Sequence, residues 1–234
     1  MNTFKKINLI ALAIFTVSTI FAQEIKTVAL MKNGSVVYEK PLTNKDSIFF
    51  KTYTPSTEIN GVEINGVVWA TRNVDMPGTF TENITDYGML YQWNRPIGWS
   101  YSNPMVNSEG GTIWDSSMPT GDTWEESNNV CPTGWRVPTQ AEITSLNNSG
   151  SVWTTVNGVN GRIYGSGETV VFFPAVGFRN YDDGSLDFQG SSGSYWSATV
   201  SDVSSTYSLN FGSSSSDINY INRDSGFSVR CVAE

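Results

Sequence analysis

The 234-residue chain carries 14 Lys and Arg against 22 Asp and Glu, and it has no histidine. A net charge of −8 with no gathered basic patch repels phosphate backbones and anionic bilayers, so nucleic acid is not an expected partner. Without histidine the usual hydrolase triads, His-ligated zinc and the facial iron triad cannot be assembled, and two cysteines are too few for a thiolate metal site.

Residues 1–22 read as a secretory signal peptide. Lys5 and Lys6 precede an apolar run from Ile7 to Phe21, and Ala22 is a small residue at the cleavage point. The run falls short of the roughly 20 apolar residues of a membrane span, and no later segment suits membrane insertion. No cysteine stands at the cleavage point, so a lipid anchor is not expected. Export would leave 12 basic residues facing 22 acidic ones, in the periplasm, on the cell surface or outside the cell.

Residues 23–54 read as a small N-terminal β-hairpin module. Val28, Leu30 and Met31 lead into Asn33–Gly34 and then Val36, Val37 and Tyr38; both turn residues tolerate positive φ, which makes the pair a strong hairpin signal. Asp46–Phe50 supplies a third short strand. A unit this small buries too little to stand alone. It resembles the short strand module of exported Bacteroidetes proteins. Residues 55–58 read as a linker, and 59–234 as the main domain.

The main domain opens with a second Asn–Gly hairpin, Val62–Ile64 and Val67–Trp69 around Asn65–Gly66. Residues 76–130 are rich in Gly, Asn, Pro and Ser, yet hold Trp93, Trp99, Trp114 and Trp124. They are too aromatic for disorder and too broken for long elements, so ordered loops with aromatic anchors are expected. One helix start is well signalled. Pro138 keeps the approach extended, Thr139 and Glu142 have capping-box spacing, Ile143 and Leu146 share a face, and Asn147, Asn148 and Gly150 end the helix. Short strands follow at Ser151–Thr155, Arg162–Tyr164, Val170–Phe173, Ser194–Thr199, Ser205–Phe211 and Gly226–Val232. Few helices, small antiparallel sheets and long loops make this an α+β fold.

Cys131 lies just before the helix and Cys231 near the last strand. In an exported protein an even pair reads first as a disulfide. Closing a loop of about 100 residues would contribute on the order of 4–5 kcal/mol before native strain is subtracted. A catalytic thiol is the weaker alternative, because no His or nearby Lys lowers the pKa of either cysteine.

Several blocks occur in a fixed order: VWATRNV from Val68, YGMLYQWNR from Tyr87, CPTGWRVPTQAE from Cys131, FFPAVGFR from Phe172, GSYWSAT from Gly193 and FSVRCV ending at Val232. Together they resemble the Fibrobacter succinogenes major paralogous domain family over about residues 59–232. That family is in turn similar to C-type lectin-like folds, and GWRVPTQAE resembles a segment of formylglycine-generating-enzyme domains. The resemblance implies small twisted antiparallel sheets, long loops on one side, and a Cys131–Cys231 bridge tying the helix region to the final strand. It carries no activity across. The Glu–Pro–Asn, Gln–Pro–Asp and Trp–Asn–Asp tripeptides of calcium-dependent sugar binding are absent, and the cysteines match the structural bridge rather than a catalytic pair.

Trp99, Tyr101, Trp114 and Trp124 sit in glycine-rich loops, where aromatic faces can stack on sugar rings or mark a protein interface; the alternative is that they fill the core. Trp69, Trp135 and Trp196 are assigned to the core. Asn180, Asp182 and Asp183 form a polar loop with Asp187 beyond it, so these oxygens are candidate ligand or calcium contacts; the alternative, which the Asp183–Gly184 pair favours, is a turn between strands. Glu125 and Glu126 point to different sides of an extended chain and so make a poor glycosidase pair. Thr139, Glu142 and Arg136 are read as structural. No cofactor is expected beyond that candidate calcium. The expected function is an exported, non-enzymatic binding or adhesion domain recognising a glycan or surface protein through its loops. The alternatives are an assembly subunit using Ser35–Tyr38 as an open edge, and an enzyme using carboxylates or an oxygen-held metal.

Overall fold

A computed structural model describes residues 27–32, 35–41, 61–167 and 169–234. The chain divides into two units, Met1–Ser56 and Thr57–Glu234. The first contains one antiparallel pair, β1 (Thr27–Lys32) and β2 (Ser35–Pro41), with a register shift between Leu30 and Met31. The expected leader, the Asn33–Gly34 turn, the Asp46–Phe50 strand and the 55–58 linker lie outside the described residues.

The second unit begins with β3 (Gly61–Ile64) and β4 (Val67–Ala70). The turn between them has Asn65 at φ 52° and Gly66 at φ 80°, the left-handed pair a two-residue hairpin requires. Two very short strands follow, β5 (Leu90–Tyr91) and β6 (Gly98–Trp99), and then β7 (Trp135–Arg136). Helix α1 (Gln140–Asn148) starts where the sequence places it: Thr139 is the N-cap of a complete capping box with Glu142, and Ile143 and Leu146 are its buried residues. A meander of β8 (Ser151–Val156), β9 (Val159–Ser166) and β10 (Thr169–Pro174) comes next. The chain continues through β11 (Phe178–Arg179), β12 (Leu186–Asp187), β13 (Ser192–Val200), β14 (Ser205–Gly212), β15 (Ser216–Asn222), β16 (Phe227–Ser228) and β17 (Val232–Ala233).

Two sheets carry the architecture. The six-stranded sheet runs β15-β14-β13-β16-β5-β6, antiparallel except where β13 meets β16 at Tyr195 and Ser228. The four-stranded sheet runs β3-β4-β17-β7, so the last strand lies between a hairpin made at the start and a strand made midway. Among the described residues the protein is therefore a mixed α+β fold of small, mostly antiparallel sheets with one α-helix, none of it long and apolar enough to cross a membrane.

Strand β13 is the wall between two apolar cores. Successive side chains of a strand leave on opposite faces. Tyr195 joins Trp69, Ile143, Leu146, Tyr164, Phe173 and Phe211 on one side. Trp196 joins Tyr91, Trp93, Val137, Phe227 and both cysteines on the other. Trp69 and Trp196 are fully buried, as the sequence suggested; Trp135 is half-buried and meets Phe80 edge-on.

The expected strand Gly226–Val232 is in fact two. Residues between β16 and β17 leave one sheet for the other: the Val229 carbonyl accepts from the Val74 amide, and the Cys231 carbonyl from the Ala70 amide. Arg230 at this crossing is buried. It donates to Asn73 Oδ1 (2.6 and 3.0 Å) and to the Ala70 carbonyl (3.0 Å), and lies 4.4 Å over the Phe173 ring. Among the described residues no ion pair joins it to a carboxylate, and burial pushes its guanidinium down to about 10, still charged at neutral pH.

Candidate functional site

Cys131 and Cys231 are bonded, with Cα atoms 6.0 Å apart and a sequence separation of 100. The bridge fixes the segment that enters α1 against the crossing between the two sheets. Beside it opens a cleft of roughly 350 Å³ lined by Trp124, Glu126, Asn129, Arg136, Thr139 and Glu234 over a floor of Val137 and Ala198.

Each wall is held by its own bonds. The segment carrying Trp124 to Asn129 is fastened to Asn94, which sits at φ 53°. The Asn94 Oδ1 accepts from the Glu125 amide at 2.7 Å, and its carbonyl from Asn128 Nδ2 at 3.0 Å. Trp124 stands edge-on to Trp93, with ring centroids 5.8 Å apart, and donates its Nε1–H to the Asn128 carbonyl at 2.9 Å. The indole is thus half-buried and oriented, with part of its surface left open. Asn129 bridges to the next segment through Nδ2 to the Trp135 carbonyl, 2.9 Å. Ala198 of the floor comes from β13, where its amide donates to the Pro138 carbonyl at 2.7 Å.

Arg136 reaches into the cleft from β7 and is 40% exposed. Its Nη1 and Nη2 donate to Glu142 Oε2 and Oε1 at 2.9 and 2.6 Å. The Glu142 carboxylate also accepts from the Thr139 amide at 2.7 Å and the Thr139 hydroxyl at 2.9 Å. Burial alone would raise the Glu142 carboxyl; the hydrogen bonds from Arg136 and Thr139 outweigh it and hold the group below the usual carboxylate range. The bond to Glu142 raises the Arg136 guanidinium in turn, with the Glu234 charge adding to it. The structural roles expected of Thr139, Glu142 and Arg136 are therefore present, and Arg136 has an open side as well.

The other expected contact residues form a separate cluster. Trp99 is only 3% exposed, so its ring cannot be part of a ligand platform; that expectation is corrected, and the ring instead packs against Trp114 with centroids 5.0 Å apart. Trp114 is half-buried and donates Nε1–H to the Tyr181 carbonyl at 2.9 Å. Buried Arg179 ties the two loops together by donating to the Ser100, Ser102 and Gly184 carbonyls. Tyr101 is 43% exposed and meets Tyr87 edge-on. In the polar loop the Asn180 Oδ1 accepts from the Asp182 amide and the Asp183 Oδ1 from the Ser185 amide, so these side chains close their own turns. Asp187 lies in β12, opposite Phe178. Among the described residues no group of three or more Cys, Asp or Glu side chains converges as a metal site would.

The sequence singled out Trp124 and Arg136 for different reasons and did not bring them together. It gave no reason to choose Asn129, Ala198 or Glu234, which reach the cleft from a loop, β13 and the residue after β17. The nearest signal was the closeness of Trp124, Cys131 and Arg136 in a chain whose second cysteine precedes Glu234 by three residues.

Residues 147–232 match a family model described as a domain of unknown function, DUF8237. The matched stretch runs from the end of α1 to β17 and contains only Ala198 of the cleft lining. No curated protein and no solved structure matches the chain.

Proposed function

We propose that this protein is an exported, non-enzymatic recognition domain of C-type lectin-like type, akin to the Fibrobacter succinogenes major paralogous domains, and that it binds a glycan in the Trp124–Arg136 cleft. The observation that carries the reading is the cleft itself: an oriented indole, a half-exposed guanidinium, an amide and a threonine hydroxyl gathered around one apolar floor. Sugar rings offer a C–H face to an aromatic ring and hydroxyls to fixed donors and acceptors, and such sites combine apolar walls with a few placed polar groups. The bridge between the helix-entry segment and the crossing before the last strand, together with small antiparallel sheets and long loops, supports the lectin-like reading.

The test is a glycan array probed with the intact protein, with and without calcium, and repeated with Trp124→Ala and Arg136→Ala. Selective binding that both substitutions abolish would support the reading. A correctly folded protein that retains no glycan under either condition would end it. Signal that needs calcium would bring Asp182, Asp183 and Asp187 back as ligands.

A further inference from the structure

We infer that the ligand carries a protonated amine: the cleft is shaped for an amino sugar rather than a neutral or acidic one. This rests on the glycan reading above and narrows it.

Charge decides the point. Arg136 supplies the cleft's one cation, and its charge is already met by Glu142, which grips both Nη atoms. Two further carboxylates, Glu126 and Glu234, line the opening. Both residues are exposed, and among the described residues neither accepts a side-chain hydrogen bond or closes an ion pair. With Glu142 bonded to Arg136, the carboxylates at the cleft outnumber its cation by two, and Trp124 lines the same opening. An indole face is the best aromatic surface for a cation, and carboxylates supply charge-assisted acceptors for its N–H groups. The field of the whole chain points the same way, since a net −8 draws cations toward any acidic opening. An acidic sugar would meet the reverse. A neutral sugar would bring no counter-charge to Glu126 and Glu234. The Asn129 and Thr139 side chains also line the cleft, held by the Trp135 carbonyl and by Glu142 respectively.

The experiment is isothermal titration of the intact protein at pH 6 and low salt with three trisaccharides: chitotriose with free amines, its N-acetylated form, and cellotriose. The expected result is at least ten-fold tighter binding of chitotriose than of either other sugar, weakening as salt is raised. Glu126→Gln combined with Glu234→Gln should erase that difference. Both positions are exposed, so an unchanged melting temperature will show that the variant folds. Equal affinity for all three sugars, or a preference that survives the double substitution, would overturn the amine inference while leaving the cleft as a sugar site. Failure of all three to bind would overturn this inference, while the glycan reading stands or falls on the array. A lysine-rich peptide that matched chitotriose would show that the site reads an amine but not a sugar.

Discussion

The Arg136 guanidinium and the Glu142 carboxylate meet through two parallel bonds of 2.9 and 2.6 Å, and the same carboxylate closes the capping box of α1. One carboxylate thus holds a helix start and aims a cleft residue. Glu142→Ala should cost about 1–2 kcal/mol through the cap and weaken ligand binding by freeing the Arg136 side chain. Urea denaturation and titration calorimetry on the same variant would show whether both effects occur.

Glu142 also predicts a pH dependence. Its folded-state pKa lies below the ordinary value, so its contribution is complete above the unfolded pKa of about 4.3 and is lost as pH falls through the lower folded value. The stability difference between the wild type and Glu142→Gln should stay constant from about pH 7 to 5 and shrink below about 4. A difference that grows on acidification would contradict the assigned bonds.

Removing the bridge by Cys131→Ala with Cys231→Ala should lower stability by roughly 2–5 kcal/mol, because the unfolded chain regains the freedom of a loop of about 100 residues. The loss should appear as a fall in Tm under oxidising conditions and be reproduced in the wild type by a reductant. Equal Tm values for wild type and variant would remove the bridge from the account of stability.

Asn73→Ala would remove two of the bonds that hold the buried Arg230 charge, leaving it the Ala70 carbonyl and the Tyr195 hydroxyl. A cost of about 1–3 kcal/mol is expected, more than for a surface Asn→Ala change. Arg230→Lys should not be tolerated, because one ammonium cannot reproduce the three directed bonds.

Gly184 sits at φ +70°, and a Cβ there would lie 2.7 Å from the Trp114 ring. Gly184→Ala should displace Trp114 and destabilise the loop cluster by about 1–3 kcal/mol. Acrylamide quenching should then report a newly accessible tryptophan. The Trp124 cleft is built from other residues, so its binding should persist.

Much of the fold was legible because its signals are local. The Asn65–Gly66 turn and the Thr139–Glu142 cap are chemistry within four residues, and both occur where they were read. Strand β15 was missed because its apolar alternation is brief, Ile218 and Tyr220 alternating with Asp217 and Asn219, and Ile221 then breaks it on an edge strand that buries no residue fully. The break between β16 and β17 was missed because the sequence FSVRCV runs on smoothly, while the pairing partners change from Tyr91 and Tyr195 to Trp69 and Arg136. Trp99 shows the limit for aromatics: a glycine-rich surrounding does not say which of two neighbouring rings lies underneath. The cleft was not legible because its walls are joined by Asn94, Pro138 and the bridge, contacts that no sequence period records.

The placement of β17 between β4 and β7 sets the tempo of maturation. The hairpin of β3 and β4 and the strand at Trp135 cannot be joined edge to edge until Val232 arrives. Contacts of such long sequence separation form slowly, and they leave strand margins open in the meantime. A chain made from its amino end therefore stays unsealed until its last residues are in place, and the Trp124 pocket, whose lining includes Glu234, is completed late.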